Sequence, residues 1–208
     1  MGPLSNNAGG LSELPLTDRT VHLCVDMQVL FSDVGPWPTP WLNRVLPIVT
    51  EIAGRFPERT IFTRFITPQR PDEMPGMWRP YYQRWHETTR EHLHPDMLEL
   101  MPQLHRFVPP AHVIDKMRYS AFAEQALVAH LQERDADGLI VTGSETDVCV
   151  LATVLGAVDF GYRVVLVTDA ICSSSDEGHD AMLEVYHRRF AMQIETAEAR
   201  TVLARWHR

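Results

Sequence analysis

Six short runs of continuously apolar residues punctuate the chain, and each stops abruptly at a polar or turn-forming residue. Residues 21–25 halt at Asp26, 61–66 before Pro68, 112–114 at Asp115 and Lys116, 139–142 at Gly143, and 164–167 at Thr168 and Asp169; residues 192–194 form a weak sixth. Runs this short, with no polar alternation, predict strands covered on both faces. Between them apolar residues recur three and four apart, which predicts helices over 41–56, 122–133, 147–160, 176–190 and 197–206. Small Ala152, Gly156 and Ala157 in the third helix allow close approach to a sheet. Strands alternating with helices predict an α/β fold, a three-layer sandwich with a central, mostly parallel six-stranded sheet and helices on both faces.

Two stretches break the alternation. Pro68, Pro71, Pro75 and Pro80 oppose a long regular element in residues 67–96, while Trp78, Tyr81, Tyr82 and Trp85 are too apolar for a free linker. Gly35 to Pro40 has the same character. Ordered loops of this composition are expected to cover a site as a lid or to meet another subunit. Residues 1–19, with Gly2, Pro3, Asn6, Asn7, Gly9 and Gly10, read as a flexible leader, leaving 20–208 as one domain.

Composition narrows the classes. The chain has 208 residues, 45% hydrophobic and 22% charged, a globular balance with enough length for one substantial core. Its formal charge is −8 with the bases spread along the chain, which argues against a nucleic-acid module or a polybasic membrane binder. No apolar run approaches the roughly 20 residues of a membrane span, and the start lacks signal-peptide character, so a cytoplasmic protein is expected. Three cysteines do not form a disulfide framework. Of the 19 basic residues, 18 are arginine and one is lysine, Lys116. A lone lysine in an arginine-rich chain is expected where a compact, buried amine is needed, unless it is a chance survivor.

Ligands of open parallel sheets bind beyond the carboxyl ends of the strands. Three reactive residues fall at that edge: Asp26 after the first strand, Lys116 after the third, and Cys149 shortly after the fourth, where Thr146 or Asp147 can cap a helix. Helix-start N–H groups favour a thiolate and can hold an oxyanion. A carboxylate able to take the thiol proton and an ammonium to stabilise both charges would complete a nucleophilic site. Separately each residue has an ordinary reading: a loop cap, a surface ion pair and a core cysteine.

The segments Leu23-Cys24-Val25-Asp26-Met27-Gln28 with Phe31, Asp115 to Phe122, and Gly143-Ser144-Glu145-Thr146-Asp147-Val148-Cys149-Val150 resemble the isochorismatase-like cysteine hydrolases. That family includes nicotinamidases, N-carbamoylsarcosine amidases, and biuret and ureidoacrylate hydrolases. The resemblance, over about residues 20–200, implies a catalytic triad of Asp26, Lys116 and Cys149. It also implies a non-proline cis peptide at Ser144–Glu145, an oxyanion hole from the N–H groups of Glu145 and Cys149, and Phe31 in the pocket wall. A homodimer or homotetramer follows from the same likeness. Where nicotinamidases carry an Asp-x-His metal pair, this chain reads Thr63-Arg64-Phe65-Ile66-Thr67, so no metal is expected and nicotinamide is disfavoured.

The expected activity is cleavage of a C–N bond in a small amide, ureide or imide through a thioester on cysteine, with no cofactor. A vinyl-ether hydrolase of the isochorismatase type and an inactive small-molecule-binding scaffold remain alternatives. Further pocket candidates are Arg64 (or a structural ion pair), Trp78, Tyr119 and Cys172. His86, His92 and His94 lack a recognised metal spacing, and His179 is a candidate partner for Cys149 in a dyad. No Gly-x-Gly phosphate cradle follows the first strand, so no dinucleotide is expected.

Overall fold

In the computed structural model, which describes residues 10–207, strands β1 (Thr20–Val25), β2 (Thr60–Phe65), β3 (His112–Lys116), β4 (Gly138–Ser144), β5 (Arg163–Cys172) and β6 (Ile194–Ala197) form one sheet. Its order is β3-β2-β1-β4-β5-β6 and every pairing is parallel. The chain starts in the middle and winds outward both ways, so a crevice opens between β1 and β4 at their carboxyl ends.

Side chains of β1 alternate between two cores, which is why the whole strand is apolar or buried. Cys24 joins Phe62, Ile140 and Val165 under helix α1 (Leu42–Arg55), with Leu104 of α3 (Pro102–His105) and Val202 of α7 (Ala199–Arg205). Val21, Leu23 and Val25 join Ile61, Leu139 and Val164 under α4 (Gln125–Glu133), α5 (Leu151–Asp159) and α6 (Asp176–Arg188). In α1 the buried Leu42, Val45, Leu46, Val49, Ile52 and Ala53 keep the helical spacing that predicted it.

Several boundaries differ from the sequence reading. The fifth strand does not stop at Asp169: after a register shift between Val141 and Gly143 it pairs again, Ile171 with Gly143 and Cys172 with Ser144. The sixth strand begins at Ile194 rather than ending there. Helix α2 (Trp78–Arg84) forms among the prolines of 67–96 because Pro80 lies in its first turn, where an N–H needs no intrahelical partner. Residues 1–9 of the expected leader lie outside the described residues. Residues 10–19, by contrast, are docked: Ser12 donates from N–H (2.8 Å) and Oγ (3.1 Å) to Glu195, Arg163 donates to the Pro15 carbonyl (2.8 Å), and Leu16 is buried beside Trp206. Among the described residues, no helix is long and apolar enough to cross a membrane.

Candidate active site

Asp26 follows the end of β1 with φ 50°, a backbone conformation that residues other than glycine rarely adopt. Beside it Gly143 has φ 116°, and a Cβ there would lie 2.0 Å from the Val25 carbonyl oxygen. Only glycine lets β4 run that close to β1. Thr63 of β2 fixes Asp26 at two atoms: it accepts from the backbone N–H (3.1 Å) and donates to Oδ1 of the carboxylate (2.6 Å). Lys116, ending β3, brings Nζ to 2.6 Å from Oδ2, both side chains being wholly buried. That contact is a short ion pair rather than an aligned hydrogen bond, since Oδ2 has no well-directed donor. Lys116 also donates to the Arg118 carbonyl (3.0 Å) and lies 4.9 Å from the Phe65 ring centroid.

Cys149 reaches the same point from β4. The Ser144–Glu145 peptide is cis, and Thr146–Val150 then forms a π-helical turn leading into α5. The Glu145 carbonyl accepts from the N–H groups of Val148 (3.1 Å) and Val150 (3.0 Å), on either side of the cysteine. Local winding of this kind is common where a side chain must be re-aimed at a site. Neither expected residue caps this helix. Thr146 Oγ1 pairs with His179 Nδ1 (2.9 Å) and Asp147 accepts from Ser173, while Glu145 takes the cap position without a side-chain bond.

The Cys149 thiol lies close enough to Asp26 and Lys116 for both charges to act on it. Burial pushes the thiol well above its ordinary pKa and the Asp26 carboxylate pushes it further, against the pull of Lys116. Burial draws Lys116 down, but the facing Asp26 and Cys149 more than offset it and leave it raised. At neutral pH the resting sulfur is therefore a thiol and Lys116 an ammonium, with the Asp26 carboxyl group beside both.

A cavity of about 460 Å³ opens above the sulfur. Phe31 and Tyr119 line it as expected from the sequence, with Glu145 and Cys149. Arg64 does not. Its guanidinium holds Asp115 through two bonds (2.7 and 3.0 Å) and Glu99 through a third (2.8 Å), and it borders a separate cavity. Trp78 lies one layer back, 4.8 Å from the Tyr119 ring, in a side groove. Cys172 is fully buried in β5 rather than in the cavity wall, and burial raises its pKa to about 12. His179 is engaged by Thr146 and packs against Trp41. Among the described residues no group of three or more His, Cys, Asp or Glu side chains is arranged for a metal; His94 instead caps a short turn at Asp96.

Sequence reasoning missed several parts. Thr63 was an unremarked polar position inside an apolar run, which is itself a usable signal. Gln28 ties the elements together, accepting from Phe65 N–H (2.6 Å) and donating to the carbonyls of Phe65 (3.2 Å) and Leu98 (2.8 Å). Trp37 and Trp85, from the two proline-rich loops, form much of the cavity wall.

The family model for the isochorismatase domain matches residues 20–198. Nicotinamidase 3 of Arabidopsis thaliana is 29% identical over 182 residues, 87% of each chain. An isochorismatase family protein of Bacillus subtilis is 36% identical over 98 residues, 46% of this chain and 54% of that relative. Among solved structures, a cysteine hydrolase from Pseudomonas syringae pv. phaseolicola 1448A superposes with a TM-score of 0.79 at 24% identity, over 93% of this chain and 95% of that one. The N-carbamoylsarcosine amidase from Thermoplasma acidophilum gives 0.69 at 20% identity, over 86% and 96%.

Proposed function

The chain belongs to the isochorismatase domain family, and from that premise we propose that it hydrolyses the C–N bond of a small amide, ureide or imide through a thioester on Cys149. One observation carries this reading. A buried carboxylate–ammonium pair from the ends of β1 and β3 lies beside an almost fully buried thiol from the turn after β4, and that thiol lines a cavity.

Asp26 accepts the thiol proton as the sulfur attacks the substrate carbonyl. Lys116 pairs with the Asp26 carboxyl group beforehand and compensates the thiolate as it forms. The N–H groups of Glu145 and Cys149 receive the oxyanion. Asp26, now protonated, gives its proton to the leaving nitrogen, and the C–N bond breaks to leave an acyl thioester. Water, deprotonated by Asp26, attacks that thioester; the sulfur departs and recovers a proton from Asp26. The sum is amide plus water to acid plus amine. Oligomerisation as a dimer or tetramer belongs to the same reading, checked by sedimentation velocity.

Screening small amides, ureides and imides for ammonia or amine release tests it. Activity in the wild type with loss in Cys149→Ala supports the reading. Turnover retained by a homogeneous Cys149→Ala preparation overturns it.

A further inference from the structure

The cavity above Cys149 is a box of aromatic rings. Trp37 is its hub, with ring centroids 6.2 Å from Phe31, 6.3 Å from Phe65, 6.2 Å from Tyr81 and 6.2 Å from Trp85. Tyr119 closes the circle by stacking on Phe65 at 6.4 Å. Ring faces carry negative charge in their quadrupole and attract cations.

The formal charges around the box have the same bias. Asp26 and Lys116 pair with each other, buried and outside its lining, leaving the Glu145 carboxylate as the charged group in the wall. That carboxylate is held by the Ser174 N–H (3.0 Å) and hydroxyl. Burial raises the hydroxyl pKa of both Tyr81 and Tyr119, and Glu145 adds to it after Tyr119 in the first and after Cys149 in the second. Among the described residues, no arginine lines this cavity. Arg64 is spent on Asp115 and Glu99 beside another cavity, and Arg118 donates to the Met117 carbonyl and lies over the outer ring of Trp78.

Resting on the proposed amide hydrolysis, we infer that the substrate's non-reacting end is a flat or compact group bearing a positive charge, such as a quaternary or protonated nitrogen. Uncharged analogues bind less tightly, and carboxylates are rejected. A carboxylate entering the box would lose its water, meet ring faces and Glu145, and find no free cation.

Three ligands matched in ring and amide isolate the charge: 4-(trimethylammonio)benzamide, 4-tert-butylbenzamide and 4-carboxybenzamide. Binding is measured by titration calorimetry on Cys149→Ala, and ammonia release on the wild type. The expected order of affinity is cation, neutral, anion, with the cation at least about ten-fold tighter than the anion. Glu145→Gln, which keeps the backbone N–H, should shrink the gap. Trp37→Leu should also shrink it, and Trp85→Leu serves if that variant does not fold. Equal or tighter binding of the carboxylate, or no binding of any of the three, overturns the inference. The cationic order without ammonia release would sink the amidase reading alone; ammonia release with the carboxylate preferred would sink this inference alone.

Discussion

Asp115 and Lys116 are neighbours on β3, yet each belongs to a different ion pair in a different medium. Asp115 points to the outer side and meets Arg64 where both side chains are partly exposed, at 49% and 22%. Lys116 points inward to Asp26, where neither side chain is exposed at all. In the first pair water screens the charges, and such pairs contribute about 0–1 kcal/mol. In the second, each charge depends on its partner, and removing one strands the other at about 3–5 kcal/mol. The fold could have filled the inner position with apolar residues at little cost. That an ion pair sits there, beside a thiol, argues that it serves chemistry rather than stability.

Lys116→Ala should show the largest difference between the two pairs. It should destabilise the chain by roughly 3–5 kcal/mol in urea melts and reduce turnover at least about a hundred-fold. The double variant Asp26→Asn/Lys116→Met should recover most of the stability and none of the turnover. Recovered turnover would break the distinction between the two pairs.

Alkaline pH offers a second contrast. Cys149 and Lys116 both have raised pKa values in the fold, from ordinary values of 9.0 and 10.5. A raised value means that the fold keeps a proton the unfolded chain releases. The stability from each is thus complete below its ordinary value and lost as pH rises above it. Thermal melts should fall steeply above about pH 9, and the Cys149→Ala/Lys116→Met variant should flatten that fall. Arg64→Ala should leave it unchanged.

Thr63→Val should have a smaller effect, removing the hydroxyl that holds Asp26 at two atoms. A loss of about 1–3 kcal/mol is expected, with a fall in kcat exceeding any change in KM. The smallest effect belongs to Arg64→Ala: a stability change within about 1 kcal/mol and a kcat close to wild type. A large kcat loss there would return Arg64 to the site.

The inner pair was legible in the sequence because each member ends an apolar run, and the ends of parallel strands share one edge. Lys116 stood out further as the single lysine. The outer pair was half legible: a structural ion pair was one of two readings of Arg64, and only the tertiary arrangement shows that Glu99 and Asp115 converge on it. Cys172 misled because the polar Thr168 and Asp169 looked like a strand end, whereas a register shift lets β5 continue past them. The aromatic box was half visible: its tryptophans marked the proline-rich loops as ordered, but loop conformation sets which rings face the cavity. Residues 10–19 looked loose by composition, and partners far along the chain, among them Asp137, Arg163, Glu195 and Arg205, hold them down.

Trapping the covalent intermediate tests the central claim most directly. Wild-type protein turning over an amide substrate would be quenched in acid and its intact and peptide masses measured. The account predicts an acyl adduct on Cys149, absent from Cys24 and Cys172 and absent from the Cys149→Ala protein. Sustained hydrolysis with no adduct on Cys149, and an undiminished rate in Cys149→Ala, would contradict it.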